Sequence, residues 1–78
     1  MLPLTILVMS ELKRMGGTAK DRDLFENVRK LCEALNGQDL SFSRFNKVLM
    51  SLELKGFVRV ESIKRGYRMV YLVERRKR

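Results

Sequence analysis

Apolar residues recur at helical spacing in three stretches of the chain and at alternating spacing in a fourth. From about Pro3 to Met15 the stripe is Leu4, Leu7, Val8, Leu12 and Met15. Pro3 suits a first helical turn, where its missing N–H is not needed. Lys13 and Arg14 fall in the last turn, as the helix dipole favours, and Gly16-Gly17 stops the helix. A second stripe, Leu24, Val28, Leu31 and Leu35 with Phe25 and Cys32 at its edge, predicts a helix from about Asp21 to Leu35. Asp21 is expected to cap it, Asp23 and Glu26 place negative charge in its early turns, and Asn36-Gly37 ends it. The short piece Thr18-Ala19-Lys20 between the two fits a single strand that pairs with something later.

The third stripe is the sharpest. Phe42, Phe45, Val48, Leu49 and Leu52 span roughly 120° of a helical wheel, Ser41 precedes them as N-cap, and Lys55-Gly56 closes the helix. Then the period changes to two. Phe57-Val58-Arg59-Val60-Glu61 alternates, Tyr67 to Val73 does so again, and Ile63-Lys64-Arg65-Gly66 reads as a glycine-containing hairpin connection. The order is helix, short strand, helix, helix, strand, strand: a mainly α fold with a small antiparallel β-hairpin, of the α+β class. The simplest packing joins the three helical stripes and lays the hairpin over one end of that core.

Residues 41–74, SFSRFNKVLMSLELKGFVRVESIKRGYRMVYLVE, resemble the recognition helix, closing Lys-Gly and wing of the winged helix-turn-helix family. LVMSELKRMGG and DLFENVRKL are similar to that family's first two helices. The resemblance covers nearly the whole chain and divides it into a winged-helix domain, 1–74, and a basic C-terminal tail, 75–78. One departure is the connection Asn36–Leu40, longer than the tight turn of the simplest helix-turn-helix proteins. The resemblance implies sequence-specific binding of double-stranded DNA and transcriptional regulation, with the third helix in the major groove and the 57–73 hairpin on the backbone or in the minor groove.

Charge gives that expectation weight of its own. The 78 residues carry a net charge of +8, and none of it lies in the first half. Residues 1–41 hold six Lys/Arg and six Asp/Glu, whereas residues 42–78 hold eleven against three. Solubility needs a modest net charge but no such segregation, which suits a dedicated anion-facing surface. The absence of histidine and the single cysteine remove the commonest general base, an internal disulfide and any multi-cysteine zinc site. Neither a nucleophile–base pair nor a glycine-rich phosphate loop is visible, so no enzyme activity, cofactor or metal is expected. A core this small leaves little room for a small-ligand pocket. MLPLTILVM lacks the basic start and small-residue cleavage site of a signal peptide, and no apolar run reaches the length of a membrane span. The expected location is cytoplasmic, with nucleoid association in a prokaryotic or archaeal host.

The expected contact residues follow from the chemistry of base edges and phosphates. Ser43, Arg44, Asn46, Lys47 and Ser51 lie off the apolar face of the third helix. Arg and Lys can reach guanine, Asn can bracket adenine, and Ser can bond a base or a phosphate. Ordinary solvation would account for the same polar face. Lys64, Arg65 and Arg68 cluster at or beside the hairpin tip with Arg59 further down the first strand. They suit phosphates or a narrow minor groove, though cations also protect an exposed strand edge. The tail, Arg75, Arg76, Lys77 and Arg78, would add contacts without sequence information. Leu2, Ile6 and Met9 make a second apolar stripe on the first helix, which suggests a homodimer reading a palindromic site, unless other parts of the chain cover it. Rival readings are a protein-interaction winged helix in a transcription or replication assembly and a non-specific architectural DNA-binding protein. An RNA module is disfavoured because no aromatic stacking platform is discernible.

Overall fold

The computed structural model describes residues 2–73. It contains three helices and three strands, α1 (Leu4–Arg14), β1 (Thr18–Lys20), α2 (Asp21–Asn36), α3 (Phe42–Leu54), β2 (Val58–Lys64) and β3 (Tyr67–Leu72). The strands form one antiparallel sheet in the order β1-β3-β2. Thr18–Lys20 is thus the short strand expected from the sequence, and its partner is the last strand: Thr18 faces Tyr71, Ala19 faces Val70 and Lys20 faces Met69. The architecture is a small α+β domain.

Two identical helix ends build the sheet. At the end of α1, Gly16 N–H donates to Lys13 O and Gly17 N–H to Leu12 O; at the end of α3, Gly56 N–H donates to Glu53 O and Phe57 N–H to Leu52 O. Each is a Schellman closure, whose first residue past the cap must take positive φ. Gly16 (φ +93°) and Gly56 (φ +84°) supply it without the steric strain of a Cβ. The next residue in each case already belongs to the sheet: Gly17 O accepts from Leu72 N–H, and Phe57 O accepts from Val73 N–H. Both helices therefore deliver the chain straight into the outer strands, and β3 zips between them.

One face of the sheet packs on the helices. Ala19, Val58 and Val70 join Leu7, Val8, Leu12, Leu24, Val28, Cys32, Leu40, Phe45, Leu49 and Leu52 in a single buried cluster. Strand alternation places Thr18, Lys20, Arg59, Glu61, Met69 and Tyr71 on the opposite face. Ser41 Oγ caps α3 by accepting from Arg44 N–H, as expected.

Four details differ from the sequence reading. Lys20, not Asp21, holds the N-cap position of α2, and Asp21 is its first helical residue, buried at 4% exposure. Leu35 is 56% exposed, because the packed face of α2 ends before its last turn, while Cys32 at the edge of the stripe is buried. Phe42 sits at the rim, edge-on to Phe25 at 5.2 Å between ring centroids. Ser62, Ile63 and Lys64 are strand residues with a register irregularity among them, which leaves only Arg65-Gly66 as the turn.

The core also contains a charge that the hydrophobic pattern hides. Glu11 is 2% exposed in the middle of α1. Its carboxylate accepts from Arg14, with Nε at 2.9 Å, and from Asn27 Nδ2 of α2 at 3.0 Å. The Arg14 hydrogen bond holds the carboxyl below its ordinary value of 4.5 against the upward push of desolvation, with help from Asn27. Because the folded-state value is the lower one, the stabilisation is complete above about pH 4.5 and is lost as pH falls through the folded value. Glu11→Gln is expected to cost about 1–2 kcal/mol near neutral pH. In urea unfolding followed across pH, the gap between the two proteins should close on acidification; a constant gap would show that the charge contributes nothing.

Candidate nucleic-acid interface

A cleft of about 640 Å³ opens between the first turns of α3 and the hairpin tip. Its walls are Arg22 from the start of α2, Asn46 from α3, and Lys64, Arg65 and Arg68 from the hairpin, with Asp21 among them. Four cations thus surround one carboxylate. Two stretches that are remote in sequence meet here because β1 runs directly into α2. Lys20 pairs with Met69, so the next residue, Asp21, arrives beside Arg68.

Arg68 organises the cleft. Its Nε donates to Asp21 Oδ2 at 3.0 Å and its Nη2 to Asn46 Oδ1 at 2.7 Å. Asp21 Oδ1 accepts from the backbone N–H of Arg22 at 2.9 Å and of Arg68 at 3.3 Å. One buried carboxylate therefore ties the start of α2 to β3, and through Arg68 to α3. Since Asn46 Oδ1 faces Arg68, its Nδ2 is the arm of the planar amide left over. It has no partner among the described residues.

The residues singled out from sequence separate into groups. Asn46, Lys64, Arg65 and Arg68 come together in the cleft. Ser43 and Lys47 are exposed on α3, and Ser51 is half-buried further along it. Lys47, Lys64 and Arg65 make no ion pair with another described residue, unlike Arg14, Arg29, Arg59 and Arg68. Three of these residues have surroundings of their own. Arg68 lies beside the tip with Lys64 and Arg65, and strand alternation turns it toward the helices, where it is held by Asp21 and Asn46. Arg59 lies on the far face of the sheet, paired with Glu61 at 3.0 Å and stacked over Tyr71 at 5.2 Å. Arg44 lines a separate crevice beside Gln38 and Asp39. The basic tail Arg75–Arg78 lies outside the described residues.

Two further residues complete the cleft. Arg22 reaches the cleft over the rim aromatic Phe42, 6.0 Å from its ring centroid. Tyr67 closes the tip side with Lys20 Nζ 4.8 Å from its ring centroid. Arg22 depends on the β1–β3 pairing, which only the folded chain reveals, and the polar run Lys20-Asp21-Arg22 before an apolar stripe is its one sequence signal, whereas Tyr67 stands at the tip through its β2–β3 pair with Lys64.

No family model matches the chain, and no curated protein or solved structure is significantly similar to it.

Asp21→Asn and Arg68→Gln are each expected to destabilise the fold by about 1.5–3 kcal/mol, and the double variant by much less than their sum. A double-mutant cycle from thermal unfolding measures the coupling. Strict additivity would mean that the clasp does not hold the hairpin to the helices.

Proposed function

We propose that the chain is a winged helix-turn-helix domain that binds double-stranded DNA in a sequence-specific manner and acts without catalysis, as a transcriptional regulator. Helix α3 is the recognition helix and the β2–β3 hairpin is the wing. One observation carries this function: Lys64 and Arg65 at the wing tip, which have no ion-pair partner among the described residues, share a cleft with Asn46 on the polar side of α3.

That arrangement suits a duplex. An α-helix of 13 residues is about 20 Å long and fits the major groove lengthwise. With α3 there, Ser43, Asn46 and Lys47 meet base edges. Asn46 retains its Nδ2 donor and one lone pair on Oδ1 for an adenine edge even while Arg68 holds the other. Lys64, Arg65 and Arg22 fall to the side, where a phosphate backbone passes. The Asp21–Arg68–Asn46 clasp holds helix and wing in one frame, so a phosphate contact at the tip fixes the register at which α3 meets the bases. Charge segregation gives the same orientation, since the acids Glu11, Glu26 and Asp39 are engaged by Arg14 and Arg29.

Two kinds of substitution should behave differently. If about five phosphates are neutralised, log K against log salt should fall with a slope of roughly −4 to −5. Lys64→Ala and Arg65→Ala should each weaken binding to all duplexes alike and reduce the slope by about one. Asn46→Ala should cost about 1–3 kcal/mol on the preferred duplex and little on random DNA. Selection from a random duplex library, followed by titrations over a salt series, gives all three results. A slope near zero would sink the function.

A further inference from the structure

We infer that the chain forms a two-fold symmetric homodimer through an apolar groove at the end of the domain remote from the wing tip. The groove, about 400 Å³, runs between α1 and the base of the hairpin, and its floor and walls are Ile6, Met9, Leu52, Phe57 and Leu72. It carries no acid, and its one charged lining residue is Lys13. The hairpin-tip cleft meets α3 at Phe42 and Asn46, whereas this groove meets it at Leu52. Ile6 is 51% and Phe57 43% exposed. Exposed Val73 hydrogen-bonds to Phe57 through the backbone, and exposed Leu54 lies just before the turn into it. A monomer of this size rarely leaves so continuous an apolar patch in water.

The structure changes the stripe read from sequence. Leu2 precedes α1, and the Asn36 side chain binds both its N–H and its C=O. It lines a different crevice with Cys32 and Leu40. Ile6 and Met9 are left to join Phe57 and Leu72.

The occupant is argued by chemistry. Nucleic acid is excluded by the scarcity of cations and donors. The five residues after Val73, Glu74 to Arg78, are one acid and four bases, with no apolar side chain to fill the groove. A second copy fits, because Ile6, half exposed, stands on the rim of the same groove that Met9 and Phe57 line. With a two-fold axis beside α1, Ile6 of each subunit enters the groove between Met9 and Phe57 of its partner, an isologous contact. A specific interface takes about 800 Å² from each subunit, roughly a seventh of the 5437 Å² surface. Both hairpin-tip clefts stay open.

The dimer does not depend on the DNA-binding function, and its test contains no DNA. Sedimentation velocity of the full chain across the micromolar range should show a species of twice the 9.2 kDa chain mass. Ile6→Glu should raise the dissociation constant at least ~30-fold with an unchanged far-UV spectrum, since Ile6 is already half in water. Leu35→Glu, at an exposed apolar residue outside the groove, should leave association unchanged. A monomer at every concentration, an open-ended series of oligomers, or a dimer sensitive to Leu35→Glu and not to Ile6→Glu would each overturn the inference.

Discussion

The buried carboxylate of Asp21 is the constraint on which the cleft depends. A two-stranded hairpin is marginal on its own in water. Here the hairpin gains a third strand of only three residues, Thr18–Lys20, and then a polar tie where that strand turns into α2. A carboxylate at 4% exposure is costly unless its acceptor sites are filled. Arg22 N–H, Arg68 N–H and Arg68 Nε fill them. Arg68 is thereby fixed in one rotamer with a donor left for Asn46. The position of the tip relative to α3 follows from this set of directional bonds, which nonspecific apolar packing alone would not select.

Glu11 plays the matching role in the helical layer. Its bond from Asn27 ties α1 to α2, as Arg68 ties β3 to α2 and α3. No buried side-chain nitrogen or oxygen among the described residues lacks a partner. Apolar burial supplies the driving force for folding, and the two satisfied carboxylates favour one relative placement of the elements over its neighbours. The pair of Schellman closures does the same for the backbone. Because α1 and α3 end in the same way, the two outer strands start from equivalent points and β3 has one register between them.

Much of the fold was legible in the sequence because its signals are local. The Ser41 cap, the closing glycines and the two alternating runs need no knowledge of partners, and they located α3 and the hairpin closely. The features that were not legible depend on partners. The helical period gives the phase of a stripe but not its length, so it carries the stripe on to Leu35, which is exposed. Strand alternation says that Arg59 and Arg68 point to opposite faces, yet not which face is covered, so Arg59 reads as a wing cation beside Arg68 although it lies on the far face of the sheet. Asp21 looked like a cap because acids are common there; its actual partner is 47 residues away. The candidate site was half legible for the same reason. Lys64, Arg65, Arg68 and Asn46 are readable as cleft residues from their local positions, whereas Arg22 enters it only through the β1–β3 register.

The two ends of α3 differ in chemistry, and this bears on how so small a domain would combine the two proposed interfaces. Asn46 and Leu52 are six residues apart, a rise of about 9 Å along the helix axis. Between them lie Leu49 and Val48, buried or partly buried against the core, so the helix cannot rotate without disrupting that packing. A contact at the apolar end of α3 therefore sets the orientation of its polar end, with no hinge between. Under the proposed dimer, the spacing of the two clefts is set by one packed helix and not by a linker. If the proposed dimer also binds DNA as proposed, that rigidity would make recognition selective in geometry: a partner duplex would have to present its contacts at one separation, and a separation off by a fraction of a helical turn would meet only one of the two clefts.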